Sequence, residues 1–181
     1  MRIVIFVLLI SICMMANAQN YSSSNIGQVM SLDSVTINIS ADSAGSIILS
    51  TPTHSIYLDR GFATTFVNTL DAIITGMKDL EANNIDVTDT RMIGKLAFDG
   101  THTITSDGIV FRFELNTFKD NKILLLMYST LDSKEDILLT STTASQLSDT
   151  MKKAMASAND YRKQYAEIQA VIDKIDSTAF K

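Results

Sequence analysis

Two stretches decide how this chain is read: residues 56–80, IYLDRGFATTFVNTLDAIITGMKDL, and residues 137–161, ILLTSTTASQLSDTMKKAMASANDY. Each begins with apolar residues at alternate positions and continues with apolar residues every three or four. A period of two marks a half-buried strand, and a period near 3.6 marks a helix with one buried face. Both stretches therefore read as a strand running into a helix. At a step of 81 residues, Ile56 and Leu58 fall on Ile137 and Leu139, and Ala63 falls on Ala144. Phe66, Leu70, Ile74, Met77 and Leu80 fall on Leu147, Met151, Met155, Ala158 and Tyr161, while Thr69 and Asp79 meet Thr150 and Asp160. Any two strand-helix units of common helical period align somewhat in this way. What favours a duplication is a register that passes from strand through loop to helix without a gap.

Working outward, residues 19–31 are polar and serine-bearing and read as a disordered lead-in. Val35, Ile37 and Ile39 alternate with polar residues, residues 42–45 form a turn, and residues 47–49 and 56–58 make two further strands. Apolar spacing predicts a helix over residues 61–82, stopped by Asn83-Asn84. In the second half, strands are expected over 92–98, 102–105, 109–115, 122–128 and 136–140. A long helix follows over 142–177, capped by Ser141 or Thr142. The expected fold is α+β: two β-meander-plus-helix repeats over 32–84 and 92–161, a largely antiparallel sheet, and a long C-terminal helix. All of it belongs to one domain, 32–181, which is an ordinary size for one core.

This order of elements resembles, at the level of topology, the Whirly type of single-strand nucleic-acid-binding proteins. The resemblance rests on residues 56–80 and 137–161 and on apolar spacing, not on a chemical motif. It implies tandem units of strand meander and helix. Binding of nucleic acid would call for basic and aromatic residues on exposed strand faces. Lys95, Arg112, Lys119 and Lys122 are the candidates and form no continuous track. A net charge of −5 argues further against nucleic acid, whose affinity is dominated by phosphate contacts.

The first eighteen residues carry an address. Met1-Arg2 is a short positive start, residues 3–15 are apolar except for Ser11, and Ala16-Asn17-Ala18 offers small residues for cleavage. That pattern is a secretory signal peptide, removed before Gln19. The run is too short for a spanning helix, which needs about 20 apolar residues, so no transmembrane anchor is expected. Cys13 is preceded by Ile12 where a lipoprotein signal places a small residue. It is the only cysteine, so the mature chain is cysteine-free and can form no disulfide. The expectation is a bacterial periplasmic or secreted protein of mature charge −6, stabilised by its apolar core alone.

Residues able to carry chemistry are few. His54 and His102 have no partner at metal-ligand spacing. Neither G-x-S-x-G nor S-x-x-K occurs, and no glycine cluster could cradle a phosphate. Asp86 and Asp89, with Asp79 and Glu81 upstream, remain as weak calcium candidates or a carboxylate pair. Their spacing lacks the alternating oxygens and central glycine of a calcium loop, and Arg91 stands ready to neutralise them. No catalytic residue, metal or cofactor is assigned. With no tryptophan, stacking platforms would fall to Tyr57, Tyr128, Tyr161 and Tyr165, which read better as core or interface.

The last helix supplies the remaining feature. Ala144, Met151, Ala158, Tyr165 and Ile172 fill one heptad position, and Leu147, Ala154, Tyr161, Ile168 and Ile175 the other. A straight helix over 142–177 would run to about 50 Å, longer than a body about 40 Å across. Either it breaks near Asn159-Asp160 and folds back, or it overhangs. In the second case Tyr161, Tyr165, Ile168, Ile172 and Ile175 are the interface candidates for a homodimer. Arg162, Gln164 and Gln169 flank the stripe with too few complementary charges to specify a long coiled coil. The functional expectation is an exported, non-enzymatic binding or assembly module with an envelope or extracellular partner. The alternative is a small metal-dependent or carboxylate-based hydrolase using the Asp86/Asp89 loop. Protein recovered from the envelope or medium should begin at Gln19 on N-terminal sequencing; an exported chain that still begins at Met1 would overturn the signal reading.

Overall fold

The computed structural model describes residues 23–53, 55–87, 91–98, 109–118, 121–129 and 134–179, and among these described residues there are eight strands and two helices. The first sheet is an antiparallel meander in the order β1-β2-β3-β4, formed by Ser23–Met30, Thr36–Asp42, Ile47–Ser50 and Ser55–Leu58. Helix α1, Arg60–Ala82, follows directly. The second meander, in the order β5-β6-β7-β8, comprises Arg91–Phe98, Ile109–Phe118, Asn121–Ser129 and Lys134–Thr140. Helix α2, Ser141–Ala179, ends the fold. The α+β class, the antiparallel pairing and the long C-terminal helix are as expected. His54, Asp89 and the strand expected over 102–105 lie outside the described residues.

One expectation fails. Residues 23–30, expected as part of a disordered lead-in, are strand β1, paired with β2 from Ser23↔Asp42 to Met30↔Thr36. The strand is mostly polar because it lies at the sheet edge, and Val29 is its one buried apolar residue. Its ladder hydrogen bonds to β2 hold it where side-chain pattern gives little signal. A register shift falls between Asn25 and Gly27, with Asn25 Oδ1 accepting from the Gly27 N–H at 3.1 Å.

Local chemistry shapes each turn. In the β2–β3 turn, Asp42 Oδ1 accepts from the Ser46 N–H at 2.8 Å, and Gly45 takes φ +88°, which L side chains avoid. Asp59 caps α1, its Oδ1 accepting from the Phe62 N–H at 2.8 Å. At the far end Asn84 adopts φ 52°, and the N–H groups of Asn84 and Ile85 bond the carbonyls of Glu81 and Leu80 at 3.1 and 2.9 Å. That pair of bonds is a Schellman stop. The cap of α2 falls one residue earlier than expected. Thr140 Oγ1 accepts from the Thr143 N–H at 3.2 Å, and Thr143 Oγ1 accepts from the Thr140 N–H at 2.8 Å, a reciprocal box.

α2 lies across β1, β2 and β3 of the first meander and also meets β7 and β8 of the second, and α1 reaches β7. Gly27 of β1 lets α2 come close, because a Cβ there would stand 3.0 Å from Thr150 Cγ2. On α1, Phe66 meets Phe113 of β6 with ring centroids 6.0 Å apart. The sheets are also joined by backbone, the Leu32 N–H donating to the Leu138 carbonyl at 2.8 Å. One core results, combining Ile37, Ile39 and Leu58 with Phe113, Leu124 and Leu139. Residues related by the 81-residue step have matched burial: Ile56/Ile137, Leu58/Leu139, Ala63/Ala144, Phe66/Leu147 and Leu70/Met151 are all buried. Phe66→Ala should remove about 3–5 kcal/mol of stability by opening a cavity at the helix–sheet junction, read as a lower urea midpoint.

Candidate functional site

Helix α2 contains 39 residues, about 58 Å of rise, and so outruns the body from which it grows. Its first turns are anchored: Ala144, Leu147, Met151, Ala154 and Ala158 are buried and Tyr161 is half-buried against the core. Beyond Tyr161 every described side chain, 162–174, is exposed. The fold-back considered at Asn159-Asp160 does not occur. No glycine or proline stands between 141 and 179, so nothing in the backbone ends the helix there. Within the overhang, Gln169 Nε2 donates to Asp173 Oδ1 at 2.8 Å, a one-turn link of the kind that supports a solitary helix.

The heptad line that faces the core up to Tyr161 continues outward as a solvent-facing stripe. Tyr165 is 40%, Ile168 58%, Val171 59% and Ile172 43% exposed. Four large apolar side chains over eight residues are unusual on a surface that nothing covers. Val171 was not among the sequence candidates. Its signal was its place three residues beyond Ile168, beside the stripe instead of on it. Ile175 continues the helix backbone, and its side chain lies outside the described residues.

At the root of the overhang sits a cleft of roughly 500 Å³ lined by Arg60, Asn159, Arg162, Lys163 and Ala166. Four of these are spaced as one face of α2, and Arg60 comes from the first turn of α1. The Arg162 guanidinium lies over Gly45, with Nη2 3.4 Å from its carbonyl oxygen. A Cβ at Gly45 would stand 2.6 Å from that nitrogen, so glycine permits both the turn and the contact. Spacing could have found the α2 face; only the packing of α1 brings Arg60 to it.

Where the helices cross, a polar link stands at the edge of the core. Ser148, buried, donates to Asp71 Oδ1 at 2.5 Å, and Lys152 Nζ lies 2.9 Å from Asp71 Oδ2. Asp71 and Lys152 are themselves 81 residues apart. Desolvation raises the Asp71 pKa, but hydrogen bonds from Ser148 and Lys152 and the lysine charge outweigh it, leaving the carboxyl below its ordinary value. This link has the geometry of a structural clamp between α1 and α2.

The carboxylates proposed from sequence give less. Asp86 is exposed in the loop after α1, which is tied to β6 by the Val87 N–H donating to Thr117 Oγ1 at 2.7 Å. Its proposed companion Asp89 falls outside the described residues. Among the described residues, no group of three or more His, Cys, Asp or Glu side chains converges as a metal site. Nor, among them, is any helix long and apolar enough to cross a membrane. No protein-family model matches the chain, and no curated protein is similar to it.

Because the Asp71 pKa is lower folded than unfolded, its stabilisation is complete above the unfolded value, about 3.9, and is lost as pH falls through the folded one. Asp71→Asn should cost roughly 0.5–1 kcal/mol at pH 7, kept small by exposure of the pair. The difference from the parent chain should shrink in urea titrations below about pH 4.

Proposed function

We propose that this chain is an exported, non-catalytic assembly module and that the free end of α2 is its docking element. The observation carrying this reading is the exposed stripe of Tyr165, Ile168, Val171 and Ile172 on a helix that has left its own core. Most helical stability in proteins comes from packing of an apolar face, and the overhang, exposed over 162–174, has none from its own body. Three of its stripe residues are β-branched, which lowers its intrinsic propensity further. A partner covering the stripe would supply the missing apolar contact. Export is supported by the basic start, apolar run and Ala16-Asn17-Ala18 of the leader.

We also propose that the two meander-plus-helix units descend from a duplication, giving a layout of the Whirly type. Matched burial along the 81-residue step supports this. So do the two helix starts, Arg60 and Ser141, which stand at the same step.

A photoreactive residue replacing Ile168 in the native cell should yield adducts heavier than one chain. Adding Ile172→Asp to the same chain should abolish them. A chain that yields no adduct at all would remove the docking reading.

A further inference from the structure

We infer that the partner is a second copy of this chain, lying antiparallel along the overhang, an inference that rests on the docking reading above. The first argument is steric. The stripe is the outward continuation of the line Ala144, Leu147, Met151, Ala154 and Ala158, which faces the protein's own sheets. A parallel partner helix seated on the stripe would continue past Tyr161 into the space filled by β1 and β2. An antiparallel partner meets no such obstacle, because its helix ends where the body begins. The overhang beyond Tyr161 spans about 27 Å at 1.5 Å per residue, room for two bodies at opposite ends of a shared rod.

The second argument is register. In an antiparallel pair the two heptad seams face each other. Setting Ile168 against Ile172 of the other copy places Tyr165 against position 175, and Tyr161 against position 179, the last helical residue. One register thus pairs each seam residue, Tyr161, Tyr165, Ile168 and Ile172, with an apolar position and uses the whole overhang, while Val171 lies beside the seam.

The third argument is charge. The root of the overhang is basic, with Arg60, Arg162 and Lys163 around one cleft. The tip carries Asp173 and Asp176, with Lys174 between them, and the negative end of the helix dipole. Antiparallel pairing brings tip to root, and the same register sets Arg162 at the flanking position opposite Asp176. Two such ion pairs per dimer suit a short contact, although they are too few for a long coiled coil.

Cysteine trapping tests this directly in the full chain with Cys13→Ser, which leaves no native thiol. Under mild oxidation, a mixture of Tyr165→Cys and Ile175→Cys chains should cross-link at least about ten-fold faster than either alone, because pairing raises the local thiol concentration. In the antiparallel register the two copies of position 165 are about 15 Å apart along the axis, beyond disulfide reach. Light scattering should give the mass of two chains for the Cys13→Ser parent. Arg162→Glu should weaken the dimer about two- to five-fold, the scale of an exposed pair, and adding Asp176→Arg should restore it. Faster cross-linking by either single variant would overturn the antiparallel order. A one-chain mass with no cross-link in any mixture would overturn the second copy. The docking reading would then stand or fall separately, on whether the Ile168 photo-adduct contains another protein.

Discussion

The last helix, α2, lies across the first meander and also meets β7 and β8 of the second, and from this shared cover the rest of the structure descends. α1 packs against α2 and reaches β7 as well. The Ser148–Asp71–Lys152 clamp joins the two helices and satisfies the buried Ser148 hydroxyl. Holding α2 firmly as far as Tyr161 is also what lets its remainder project as a rod. A loosely anchored helix could not present a stripe at a fixed angle.

Much of this was legible in residues alone. Period changes located both strand-helix junctions, and most apolar positions paired by the 81-residue step are buried alike, although Ile74 is buried and Met155 half-buried. Asn83-Asn84 marked the end of α1 because asparagine tolerates the left-handed turn that a Schellman stop demands. The strand β1 was not legible, since an edge strand buries little and its stability comes from main-chain hydrogen bonds that carry no side-chain signature. The cover of both sheets by α2 was equally hidden. Periodicity says which face of a helix is apolar and nothing about which sheet that face will meet.

The candidate site divides in the same way. The stripe from Tyr161 to Ile172 followed from heptad spacing, and its length relative to the body raised the possibility of an overhang before any fold was known. What spacing could not decide was whether the helix would turn back at Asn159-Asp160. Both residues are tolerated within a helix, and continuity depends on the absence of a better competing contact for the outer half. Arg60 is almost a hundred residues from Asn159 in sequence, and only the packing of α1 against α2 places it in the same cleft.

The cover that α2 gives the first meander also sets an order on folding during synthesis. Gly27 is closed over by Thr150, and Gly45 by Arg162, 117 residues further on. The first meander therefore waits for the last helix to complete its cover. Contacts so distant along the chain fold slowly. Full cover of the first sheet is thereby deferred until Ser141–Ala179, the last element to be synthesised, has been made.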